Sequence, residues 1–109
     1  KRLITMDNIQ ENNKIIAEFM GAKVTDVKGL QKPIYYPIMG KSVYVDKLKY
    51  HSSWDWLMPV VKKCLIGEAE TNRPDLVSNI YESLVNLEIY LVYKDIIEFI
   101  KWYNQQNKS

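Results

Sequence analysis

One short segment sets a histidine, two serines, a tyrosine and an aspartate, all able to move a proton or attack a carbonyl, within six residues: Tyr50-His51-Ser52-Ser53-Trp54-Asp55. His51, the single histidine, is the group whose ordinary pKa lies closest to neutrality. Serine, histidine and aspartate together suggest nucleophilic catalysis. Neighbours in one chain segment, however, rarely turn their side chains toward a common point, so the spacing argues against a triad. His51 reads instead as a structural histidine at a strand-to-helix junction. Cys64, the single cysteine, stands among Val60, Val61 and Leu65 and reads as a buried, inert thiol. Glu82 and Glu98 are the carboxylates one might pair, but nothing in their spacing brings them together. One histidine and one cysteine cannot build the usual structural zinc site within a chain. No closely spaced acidic motif suggests magnesium, and Gly21, Gly29, Gly40 and Gly67 are too scattered for a phosphate loop. The residues predict a non-enzymatic protein with no metal and no cofactor.

A second constellation is basic and aromatic. Lys41, Lys47 and Lys49 surround Tyr44 and Tyr50, and Lys62 and Lys63 follow. Lysines interleaved with tyrosines suit phosphate contact and base stacking, or docking on an acidic protein. The same residues also fit tyrosines packed inward beneath lysines that solvate a sheet edge and discourage aggregation. Charge is uneven along the chain: residues 1–63 hold eleven basic and six acidic side chains, residues 64–109 four and seven. Such a distribution either presents a basic face to an acidic partner or is an ordinary solvated surface. Trp54 and Trp56 point some 200° apart on a helix. At least one belongs in a core; the other either covers the hairpin or joins a binding patch, and burial of both is expected.

The elements that must position these groups are mostly helical. Asp7, with Gln10 three residues on, predicts the capped start of a helix over about Asn8 to Met20. Its apolar face is Ile9, Asn12, Ile16, Phe19 and Met20, with Ile15 beside it, and Gly21 is a left-handed cap. Ala22 to Lys32 reads as irregular. Ile34–Ile38 and Val43–Val45, joined by Met39-Gly40-Lys41-Ser42, predict a hairpin in which Pro37 makes the first strand an edge or a broken strand. A bulge or second turn is expected at Asp46-Lys47. Ser52 or Ser53 caps a second helix with the stripe Trp54, Leu57, Met58, Val61 and Leu65, ended by Gly67. Pro59 either kinks that helix or begins its main part. Thr71 or Asn72 caps a third helix, with Pro74 in its first turn and Leu76, Val77, Ile80, Tyr81 and Leu84 on one face. After a break near Asn86, a long last helix carries Ile89, Val92, Tyr93, Ile96, Phe99, Ile100 and Tyr103. The prediction is an α+β fold, mostly helical, with four main helices and a small β-hairpin between the first and second.

Length and composition set the class. With 109 residues, 47% apolar and 26% charged, the chain predicts one ordinary globular domain over 1–109, fraying at 1–6 and 104–109. A lone cysteine allows no intrachain disulfide and fits a reducing compartment. No apolar run approaches the roughly 20 residues of a membrane helix, and no hydrophobic region follows the basic start of the sequence. The expected location is the cytoplasm.

Three segments share a recognisable pattern: Ile15-Ile16-Ala17-Glu18-Phe19-Met20-Gly21, the tryptophan-rich centre Leu48 to Val61 containing Tyr50-His51-Ser52-Ser53-Trp54-Asp55-Trp56-Leu57-Met58-Pro59, and Phe99-Ile100-Lys101-Trp102-Tyr103-Asn104. Together they cover about a third of the chain, and in this order they resemble a family of small uncharacterised bacteriophage and prophage proteins. Where that family carries extra strand-like sequence before the last helix, this chain reads as helix, Asp75 to Val85. The resemblance implies a shared fold and transfers no catalytic residue. It also implies an accessory protein of the host cytoplasm that binds and inhibits a host protein or ribonucleoprotein, for example an anti-CRISPR-type inhibitor. The contact residues would then be Lys41, Tyr44, Lys47, Lys49, Tyr50, Lys62 and Lys63. Direct DNA or RNA binding through the same basic face is the alternative, and a phage structural or assembly subunit a further one.

Overall fold

A computed structural model describes residues 6–25, 33–67 and 73–106. Among them are four helices and one three-stranded antiparallel sheet, which falls between the first and second helices along the chain. This is the mostly helical α+β class expected. The chain divides into two compact units, 1–49 and 50–109.

The first unit begins with α1, Met6–Phe19. Its start lies before Asp7, so Asp7 occupies the first turn rather than the cap. Its end is the one predicted: Gly21 has φ +96°, the Ala22 N–H reaches the Ala17 carbonyl at 3.0 Å, and the Gly21 N–H reaches that of Glu18 at 3.0 Å. Those two bonds satisfy carbonyls the helix would otherwise leave open. The buried face is Asn13, Ile16, Ala17 and Phe19, rotated away from the Ile9-Asn12-Ile16 stripe expected. The reason is a polar contact that periodicity does not reveal. Asn13, 1% exposed, donates from Nδ2 to the Leu48 carbonyl at 3.1 Å.

Three strands follow: β1, Lys23–Thr25; β2, Ile34–Ile38; and β3, Lys41–Tyr44. β1 was not expected, since Ala22 to Lys32 reads as irregular; residues 26–32 lie outside the described set. Its presence makes β2 the central strand, so of the two readings of Pro37 the broken strand holds and the edge strand does not. β1 pairs only with Ile34 to Tyr36, so the missing N–H of Pro37 falls beyond that ladder. The Tyr36–Pro37 bond is cis. On the β3 side the register shifts between Tyr35 and Ile38. The hairpin loop is just Met39-Gly40, both at positive φ (+52° and +80°), which matches the twist of the flanking strands. Lys41 and Ser42, expected in the turn, belong to β3. Val45, expected in the strand, begins a short 3-10 turn, Val45–Lys47, so the break at Asp46-Lys47 is a turn.

In the second unit, α2 spans Trp54–Lys62 and continues directly through Pro59. Ser53 precedes it, its carbonyl accepting from Trp56 at 3.1 Å and Leu57 at 3.0 Å, while its hydroxyl makes no capping bond. Leu57, Val60 and Val61 are buried, and Met58, expected inside, is exposed. A wider π-turn, Lys63–Gly67, follows and holds the buried Cys64. α3, Pro74–Val85, has Pro74 in its first turn, as expected. Its flanking residue is Arg73, whose guanidinium pairs with Asp75 at 3.0 and 2.8 Å; Thr71 and Asn72 lie outside the described residues. Leu76, Ile80 and Ser83 are buried, whereas Tyr81 is exposed. α4, Ile89–Gln106, buries Val92, Tyr93, Ile96, Ile97, Phe99 and Ile100, and extends into the polar tail expected to fray. α3 packs on α4, and the Ser83 hydroxyl donates to the Asp95 carboxylate between them. The break near Asn86 is a tight turn with Leu87 at φ +57°.

Turn strain and one buried amide make this geometry testable. Met39 and Leu87 are exposed L-residues held in the left-handed region, which costs roughly 1–2 kcal/mol each. Met39→Asn and Leu87→Gly should each therefore raise stability by about 1 kcal/mol, read as a higher midpoint in chemical denaturation; unchanged midpoints would contradict the turn assignments. Asn13→Ala strands the Leu48 carbonyl and should lower stability by about 1–3 kcal/mol, measured the same way.

Candidate functional site

The pleat of the first unit's sheet sorts its tyrosines. Consecutive strand residues face opposite ways, so Tyr35 and Tyr36 cannot both be core. Tyr35 is 2% exposed and lies opposite Val24 and Val43, which therefore share its inner face. Tyr36, 53% exposed, lies opposite Lys23; Tyr44, 41% exposed, lies opposite Ile34. With Thr25 and Ser42 these residues make an outer face on which Ile34 alone is half-buried. The register shift is what keeps the faces distinct. Strict alternation would place Ile38 outward with Tyr36, but the extra residue returns it to the inner face, where it is buried opposite Lys41.

Electrostatics follow the same division. The three strands hold Lys23 and Lys41 and no acidic residue. The acids of α1 act on the inner side: the Tyr35 hydroxyl is pushed above its ordinary pKa first by burial, then by Glu18 and Glu11. Lys47 and Lys49, both exposed, follow within five residues of Tyr44. Lys41, Tyr44, Lys47 and Lys49 thus form one exposed stretch of a single unit.

The other expected contact residues are placed differently. Tyr50 is 4% exposed; its ring meets Trp56 edge-on at 5.2 Å, and burial pushes its hydroxyl up to about 12. It offers no contact surface, because its aromatic area is spent on packing inside the second unit. Lys62 is exposed and Lys63 half-buried at the end of α2 in that same unit. Trp54 and Trp56 are both half-buried. Tyr36 and Lys23 were absent from the expected contact residues. Adjacent tyrosines in a strand were the available signal for Tyr36, since one of them had to face out. Lys23 had no signal, because β1 itself was not legible.

Within the Tyr50–Asp55 segment, His51 is half-buried, its ring 6.2 Å from that of Tyr93 at 66°. Ser52 and Asp55 are exposed, and Ser53 is half-buried at the head of α2. Among the described residues no three histidine, cysteine, aspartate or glutamate side chains are grouped to hold a metal ion, and no helix is long and apolar enough to cross a membrane.

Burial lowers the His51 pKa below its ordinary 6.5 by disfavouring the cation. Between the lowered value and 6.5 the unfolded chain binds more protons than the folded one. Stability therefore rises with pH across that window, is complete above it and is lost as pH falls through it. Because the sequence has one histidine, its NMR titration is unambiguous. The midpoint should lie below 6.5, and His51→Gln should flatten that part of the stability–pH curve. Comparison of the chain with protein-family models, with curated proteins and with solved structures finds no match.

Proposed function

We propose that this chain is a non-enzymatic phage or prophage accessory protein that binds and inhibits a host protein or nucleoprotein, as an anti-CRISPR-type inhibitor does. The phage assignment rests on the resemblance of the three sequence segments. The observation that carries the binding reading is the exposed run Lys41, Tyr44, Lys47 and Lys49, lying in β3 and the turn that follows it. Four lysines including Lys23, against the single exposed acid of the 41–49 run, Asp46, attract an acidic surface and steer its approach. Exposed tyrosines add rigid contact area at low entropic cost. The contact is confined to the first unit, without Tyr50, which is buried, or Lys62 and Lys63, which belong to the second.

The complex should be stoichiometric and show no turnover. Reversing both charges, Lys47→Glu with Lys49→Glu, should weaken it about tenfold, or roughly 1.4 kcal/mol, and remove most of its salt dependence. Isothermal titration against the host complex recovered with the tagged chain measures this, with circular dichroism confirming that the variant is folded. Unchanged affinity would reject the surface, and catalytic turnover of the partner would reject the inhibitor reading.

A further inference from the structure

We propose that the outer sheet face of the first unit is a stacking platform for single-stranded nucleic acid, with Tyr36 and Tyr44 each carrying a base. The inference rests on the binding reading above and deepens it: the part of a nucleoprotein partner that this face touches is exposed single strand.

Three observations support that occupant. The first is placement. Ile34 lies opposite Tyr44, and Tyr36 stands two residues along β2 opposite Lys23, so the two tyrosines are diagonal neighbours on one open face. Each ring is open to take its own base, and half-buried Ile34 adjoins both, opposite Tyr44 and two residues before Tyr36. The second is exposure. Rings that serve a core are covered, as Tyr35 and Tyr50 are, whereas Tyr36 and Tyr44 leave about half their surface open. Flat aromatic surface on an open sheet is what unstacked bases bind, in a sequence-tolerant way.

The third observation is charge. The face itself carries Lys23; Lys41, opposite Ile38, is in the inner register at the end of β3. Lys47 and Lys49 follow Tyr44 with the exposed Asp46 before them, and none of the three strands holds an acid. Glu11 and Glu18 act on the buried Tyr35 hydroxyl of the inner face. An acidic peptide would use the lysines and cover the rings without stacking bases on them; duplex nucleic acid would use the lysines but presents no unstacked bases. The combination selects single strand.

The test is fluorescence anisotropy with labelled deoxythymidine and uridine oligonucleotides of about 12 nucleotides, within the range a small domain covers, and a duplex of equal length. Binding to the single strands should exceed binding to the duplex and fall steeply between about 50 and 200 mM salt. Tyr36→Ala and Tyr44→Ala should each weaken it roughly tenfold, while Tyr36→Phe and Tyr44→Phe retain it, because the stacking surface survives. Both positions are exposed, and circular dichroism separates lost contact from lost fold. Equal binding of duplex, equal displacement by polyglutamate, alanine variants with unchanged affinity, or no binding at low salt would each overturn the platform. Should the host complex still be captured in a Lys47- and Lys49-dependent way while the oligonucleotides fail, this inference falls and the inhibitor reading stands. Oligonucleotide binding with no host complex captured would uphold the platform and reject the inhibitor.

Discussion

The surface of the first unit depends on one constraint, the two-residue alternation of β2 and its interruption between Tyr35 and Ile38. An apolar strand this short has too few residues to bury one face by repetition. The extra residue lets Tyr35 and Ile38 both point inward while Tyr36 and Pro37 stay exposed. Without it, either Ile38 would be left in water or Tyr36 would be taken out of it. The inner face then holds the buried Tyr35 and Ile38 with half-buried Val43, while Val24 and Lys41 in the same register stay exposed, and the outer face collects Tyr36, Tyr44 and Lys23. Buried core and exposed tyrosine face are thus two results of one register.

Polar contacts inside each unit complete what apolar packing leaves open. Asn13 holds the Leu48 carbonyl and so ties α1 to the chain leaving the ribbon, thirty-five residues later. In the second unit Ser83 and Asp95 join α3 to α4 in the same manner. Among the described residues no buried side-chain nitrogen or oxygen lacks a partner. Such bonds add modest net stability, but leaving one partner alone is costly, so they specify which helix faces meet. They also explain why the buried faces of α1 and α3 are rotated from their apolar stripes: Asn13 and Ser83 displace Asn12 and Tyr81 from the interior.

A surface of this kind favours recognition over reaction chemistry. Its side chains are ammonium groups and phenols, which supply charge, stacking area and hydrogen bonds. The groups better suited to proton transfer belong to the second unit. His51 is half-buried with its ring toward Tyr93, and Cys64 is enclosed. The proposed reading therefore assigns function to exposed area on a sheet whose other face buries Tyr35 and Ile38.

Local sequence determined the four helices and some of their ends, because those signals act within a few residues: the Gly21 cap, Pro74 in a first turn, the break near Asn86, and the three- and four-residue spacing of Val92, Ile96, Phe99 and Ile100. The start of α1 and the end of α2 it misplaced. It also determined that a ribbon lies between the first two helices and that Lys41, Tyr44, Lys47 and Lys49 cluster beside it. Tertiary structure alone decided the rest. Three residues of β1 become a strand only because β2 offers them a partner, and that pairing turns β2 from an edge into the centre. Which tyrosine is covered was likewise undecided until register and packing were set: Tyr50 meets Trp56 and is lost to the surface, while Tyr36 is turned out beside Lys23. Burial is a property of what lies opposite a residue in space, and nearest neighbours along the chain carry no record of it.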